Sequence, residues 1–253
     1  MLNSPHDISN ERAPKDQVDQ VITLYQKGNI PATLSQAQDL ILKYPGTPII
    51  HNVLGACLSH TGQTKQSLHH FKEALKLDPA NPATYNNLGN ILINLQQYEE
   101  AQKLISHALK IKPGFAEAHN NLGNALKEQK DYKKAIPHYE KAIQLNPGYF
   151  EAYNNLGIAL HKLKNYAEAE KNLIKAIEIN PEFADAHSNL GSILTDQKKY
   201  DKALSHYIKF INLNKDSFEG YWPLLLLLQS LNKIDLAIKW ARKAIISLPN
   251  SSE

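Results

Sequence analysis

Across 253 residues the chain has one cysteine, one methionine, two tryptophans and no block of like charge. The lone Cys57 cannot close an intramolecular disulfide, which excludes a disulfide framework and suits a reducing compartment. No apolar run approaches the roughly 20 residues a membrane helix needs; the longest is "LLLLL" at 224–228. Basic and acidic residues number 28 and 25, for a net charge of +3, without the Lys/Arg stripe of a nucleic-acid binder. The opening "MLNSPHDISNERAPKDQ" has no basic start followed by an apolar run, so no secretory signal is expected and a cytoplasmic protein is.

Catalytic signatures are scarce as well. No two glycines fall within six residues of each other, so neither a dinucleotide loop nor a phosphate-binding loop can be written. HExxH and GxSxG are absent. We expect no enzymatic activity, no cofactor and no metal.

What is present is a period of 34. Gly55, Gly89, Gly123, Gly157 and Gly191 fall on it, and Pro79, Pro113, Pro147 and Pro181 follow four of them by a constant 24, with Lys215 breaking the series. Ala101, Ala135, Ala169 and Ala203 recur 12 after the glycine, with Ser67 in the corresponding earlier slot. Leucines directly before and three after the glycine, such as Leu88 and Leu92 or Leu156 and Leu160, define one face of a first helix. Glycine inside that face lowers helix propensity by about 1 kcal/mol relative to alanine, so its expected purpose is to admit a neighbouring helix closely. A second helix is predicted from about Tyr132 to Leu145 in the clearest unit, ended by Asn146-Pro147 because proline lacks the amide donor.

A 34-residue helix-turn-helix unit with Leu-Gly, an aromatic, Ala and Pro at set offsets resembles the tetratricopeptide repeat (TPR) family. The resemblance implies an all-α, right-handed solenoid of about seven units. We place them at 14–47, 48–81, 82–115, 116–149, 150–183, 184–217 and 218–251, after a polar tail at 1–13. The end units depart from the pattern: Val21 and Leu225 occupy the glycine slot, and Pro223 stands in mid-motif. Degenerate ends are expected where one flank has no neighbour to pack on.

The motif "YNNLGN" at 85–90 recurs as "HNNLGN", "YNNLGI" and "HSNLGS". Asparagine is a mediocre helix former, so its recurrence needs a reason. Asn87, Asn121, Asn155 and Asn189 lie two before each glycine; Asn90 and Asn124 lie one after, on the same stripe. Glu117, Glu151 and Asp185 continue that stripe by a turn, as does Glu219 in the last unit. In the family the first helices line a concave surface, so this stripe would face the groove. An amide offers both donor and acceptor, which suits the backbone of an extended peptide. The arrangement is similar to the asparagine ladder of nucleocytoplasmic O-linked N-acetylglucosaminyltransferases, where such residues bind substrate backbone. A plainly solvated polar groove is the competing reading, and the helix dipole alone favours acids in a first turn. Family members that grip a carboxylate tail use groove lysines and arginines, which these positions lack.

The eleven histidines fall into spaced sets. His51, His119 and His187 share one slot, and His70, His138 and His206 another. Within a set they are two repeats apart, too far to share one ion, so packing or surface roles are expected. Cys57 sits in an apolar slot and should be buried. At the far end "EGYWPLLLLLQS" replaces the asparagine motif, and Trp222 and Leu226 would stand on or near the groove as a docking end.

The expected function is a protein-interaction scaffold that binds an extended peptide or helix of a partner in the concave groove, with no nucleic-acid or membrane partner. Two alternatives stay open: a substrate-recruiting N-terminal module of a larger transferase, and a structural protein that self-associates through its terminal repeats.

Overall fold

The computed structural model describes residues 12–214 and 220–247. Among them there are fourteen α-helices. The expectations placed on residues 1–11, Lys215, Glu219 and 248–253 lie outside the described residues.

Contacts divide the chain into two compact units, Met1–Ala125 and Leu126–Glu253. The first contains α1 (Lys15–Gln26), α2 (Ile30–Lys43), α3 (Pro48–His60), α4 (Thr64–Leu77), α5 (Pro82–Asn94), α6 (Tyr98–Ile111) and most of α7 (Ala116–Glu128). The second contains α8 (Tyr132–Leu145), α9 (Phe150–Lys162), α10 (Tyr166–Ile179), α11 (Ala184–Asp196), α12 (Tyr200–Leu213), α13 (Tyr221–Ser230) and α14 (Ile234–Ser247). Odd-numbered helices are the first helices of the repeats and even-numbered ones the second; α8 coincides with the span read from sequence.

Local chemistry sets the helix ends. Asn81 caps α5 by accepting from the amides of Ala83 and Thr84, at 3.0 and 3.4 Å, and Pro82 occupies the first helical position, where a missing N–H is harmless. The helix closes on Gln96, whose φ is +61°, with Gln97 N–H donating back to Leu92 at 2.8 Å and Gln96 N–H to Ile93 at 2.9 Å. This is a Schellman cap. A left-handed residue recurs on the same 34-residue period: Gly28, Gly62, Gln96, Lys130, Lys164, Lys198 and Asn232. The turn geometry therefore repeats seven times, including in the first and last units, where the glycine-proline grid has decayed.

Within the first unit α1 packs on α2, α3 on α4 and α5 on α6, while α2–α3 and α4–α5 contacts join successive pairs. Val21, Ala37, Ile50, Leu54, Cys57 and Leu58 are buried together, and Phe71 packs with Leu88 and Ile91 further along. In the second unit each helix from α8 to α14 packs on the next. Leu173, Leu190, Ile193, Tyr207, Leu224 and Leu228 belong to its core.

The glycines explain the intimacy of each pair. A Cβ built on Gly55 would lie 2.8–2.9 Å from ring carbons of Phe71, and one on Gly191 2.7–3.0 Å from the ring of Tyr207. The second helix thus lays a large side chain directly on the backbone of the first. Ser67, where other repeats carry alanine, donates its hydroxyl to the Gly55 carbonyl at 2.6 Å.

α13 begins at Tyr221 and includes Pro223 in its first turn, where no intrahelical donor is required. Leu224, Leu227 and Leu228 take the core side, while Trp222 and Leu226 are 58% and 47% exposed.

Candidate functional site

The asparagine stripe stands on the first helices, and the leucine-glycine face opposite fixes its orientation. Asn87, Asn121, Asn155 and Asn189 are half-buried; Asn90 is exposed and Asn124 half-buried. Glu117 and Asp185 are exposed and Glu151 half-buried.

The doubled asparagine has a structural partner that the 34-residue grid conceals. Asn87 Nδ2 donates to Asn52 Oδ1 at 3.4 Å, and Asn121 Nδ2 donates to Asn86 Oδ1 at 3.0 Å. In the second unit Asn189 Nδ2 donates to Asn154 Oδ1 at 2.9 Å. The second asparagine of one repeat therefore bonds the first asparagine of the repeat before it, 35 residues back. Asn86 and Asn154 are buried, so their acceptors depend on these bonds. Asn87, Asn121 and Asn189 each engage Nδ2 in this way, which leaves a second N–H and the Oδ1 of a half-buried amide outside that bond. The sequence signal for this pairing was the doublet itself, since only its first member needs to be buried.

A second tie between neighbouring first helices lies close by, where His161 Nε2 meets Asp196 Oδ2 at 2.7 Å. The stripe thus combines amides held in register with carboxylates, and its chemistry is that of donating, accepting and attracting positive charge.

The histidine sets meet each other rather than themselves. His51 Nδ1 lies 3.0 Å from His70 Nδ1, and His187 Nδ1 lies 3.0 Å from His206 Nδ1. Each set was spaced too widely to converge, but one member of each set comes together within a single repeat. His51 Nε2 and His187 Nε2 face the carbonyls of Pro45 and Pro181, each at 3.1 Å. Donation to those carbonyls places the proton on Nε2, so Nδ1 must accept from the partner ring. Burial pulls His70 down from the usual histidine range to about 4, with the neighbouring His51 adding to the shift. His51, His187 and His206 are lowered as well, in each case chiefly by burial. These pairs are neutral clasps between the two helices of one repeat. No group of three or more His, Cys, Asp or Glu able to hold a metal occurs among the described residues. Cys57 is buried, and burial raises its thiol pKa. Among the described residues no helix is long and apolar enough to cross a membrane.

Comparison with known families identifies the repeat. Tetratricopeptide repeat profiles match residues 58–125, 116–149 with 150–183, and 173–205. Together these span more than half of the sequence, and the chain belongs to the tetratricopeptide repeat family. Comparison with curated proteins gave no match.

Among solved structures, the chain is similar to one in the APC/C hetero-tetramer Cut9-Hcn1, with a TM-score of 0.79 and 17% identity over 84% of this chain and 42% of that one. It therefore spans about two-fifths of that longer protein. Pseudomonas aeruginosa PilF matches with a TM-score of 0.68 and 20% identity, covering 81% of this chain and 93% of that one. YrrB, described as a TPR protein with an unusual peptide-binding site, matches with a TM-score of 0.53 and 24% identity over 73% and 95% of the two chains. At these identities the likeness establishes the fold: an all-α helical-repeat solenoid. The coarse role that follows from the family is that of a protein-interaction scaffold.

Proposed function

We propose that the chain binds an extended peptide segment of a partner protein along the asparagine stripe of its first helices. The observation that carries this reading is the inter-repeat amide bond. Asn87, Asn121 and Asn189 are each tethered by one N–H to the preceding repeat. Their remaining donor and acceptor are therefore held at a fixed orientation without a ligand, which lowers the ordering cost of binding. Asn155 is the fourth member of the series. A ladder of amides repeated once per repeat addresses peptide backbone rather than particular side chains. Asn90, Asn124, Glu117, Glu151 and Asp185 border it and would favour ligands with polar or basic side chains. The similarity to the transferase asparagine ladder points the same way.

The test must separate the groove amides from their structural bond. One variant carries alanine at Asn87, Asn121, Asn155 and Asn189. The control carries Asn86→Ala and Asn154→Ala, which removes inter-repeat bonds from the buried side and leaves the groove amides in place. Both are screened with the unmodified chain against a displayed library of unstructured peptides, after their helicity and melting points are compared. Peptides retained by the chain, held more weakly by the control that has lost the tether, and lost by the groove variant support the reading. Equal retention by the groove variant would overturn it.

A further inference from the structure

α14 carries two apolar edges, and among the described residues only one is covered. At 100° per residue Ala237 and Ala244 lie together, and Ala244 is buried where α14 packs on α13. Less than a quarter-turn further round, Ile234, Ile238, Ala241 and Ile245 form a second stripe whose isoleucines are 48%, 46% and 65% exposed. One repeat earlier, the registers of those three isoleucines hold Tyr200, Leu204 and Ile211. These pack into the core with Tyr221, Leu224 and Leu228 of α13. Among the described residues the corresponding surface of α14 has no such cover. Asp235 and Arg242, both exposed and seven residues apart, stand along the same edge of the open stripe.

We propose that this stripe is the seam of an isologous dimer, in which α14 of a second copy lies antiparallel upon it. In that arrangement Ile234 meets Ile245 of the second copy, and Ile238 meets the small Ala241, so the stripe complements itself. A two-fold axis normal to the helix pair keeps the charged edge on the same side in both copies. Asp235 of each copy then faces Arg242 of the other, twice over. A parallel pairing, about a two-fold along the helices, would instead put the two charged edges on opposite sides of the seam and form neither ion pair. The order of charges along one helix thus selects a second copy of this chain in one orientation. It also extends the scaffold reading, because paired copies would present two grooves.

Sedimentation equilibrium of the full chain at low salt, from about 1 μM to about 1 mM, tests the proposal. A concentration-dependent dimer is expected, and Ile238→Asp should abolish it while leaving helicity and melting point unchanged. Asp235→Lys and Arg242→Glu should each weaken the dimer about tenfold by placing like charges in contact, and the two together should restore it. A chain that stays monomeric throughout the range overturns the proposal, the stripe then being a socket for some other helix. A dimer indifferent to Ile238→Asp, or charge reversals that do not rescue each other, would do the same.

Discussion

The bond between Asn189 and Asn154 allows the structural role of the doubled asparagine to be measured apart from any ligand. Asn154 is 6% exposed, and its Oδ1 accepts from Asn189 at 2.9 Å. Asn189→Ala strands that buried acceptor, at a cost of about 1–3 kcal/mol. Alanine recovers about 0.6 kcal/mol of helix propensity, so the net loss should be about 0.5–2.5 kcal/mol. Asn154→Ala leaves behind only a half-buried amide that water can reach, and its net effect should be smaller, about 0–1 kcal/mol. A double-mutant cycle should return a coupling of about 1 kcal/mol. Urea unfolding supplies the free energies, and amide exchange locates the effect. Because repeat arrays are stabilised by nearest-neighbour interfaces, exchange should accelerate in α9 and α11 and not in α3. If Asn189→Ala instead stabilises the protein by about 0.6 kcal/mol with no coupling, propensity alone is at work and the inter-repeat bond contributes nothing.

Other consequences can be checked in the same way. Gly191→Ala should destabilise by about 1–2 kcal/mol in urea unfolding, since overpacking against the Tyr207 ring exceeds the propensity gain; a stabilised variant would mean that the ring can withdraw. Lys164→Gly should raise the melting point, with a gain of about 0.5–1 kcal/mol, because a φ of +62° strains a residue with a Cβ. Thr84 Oγ1 is buried without a hydrogen bond, and Thr84→Ala, which supplies the residue that Ala118 and Ala152 represent at that register, should stabilise by up to about 1 kcal/mol in the same assay.

The histidine clasps predict a pH dependence of definite sign. In the fold His70 stays neutral down to about pH 4, whereas unfolded histidine protonates near 6.5. Between those values the unfolded state binds more protons, so stability rises with pH. It is full above about pH 6.5 and declines on acidification towards pH 4. Because its ring is only partly shielded, the loss should be on the order of 1–2 kcal/mol for His70, with a contribution of the same sign from His187 and His206. Thermal unfolding followed across that window, with His70→Asn and His206→Asn flattening the profile, would establish it.

The period, the two helices of each unit, the inward leucines and the purpose of the glycines were all legible in the linear sequence. Helical periodicity and proline's missing amide act locally, and a strict repeat states the same local rule several times. The left-handed turns were not legible, because five of the seven positions hold Gln, Lys or Asn rather than glycine. Tertiary structure alone decided which partners side chains find across a boundary. Asn121 reaches Asn86 because stacking offsets one repeat against the next, and His51 reaches His70 because the two helices of one repeat fold back on each other; both bring two different registers together. A grid that compares each slot only with itself cannot express that offset. The open edge of α14 has the same origin: its isoleucines fit the repeat pattern, and only the absence of a packed neighbour among the described residues distinguishes them from Tyr200, Leu204 and Ile211, half-buried or buried at the same registers in α12.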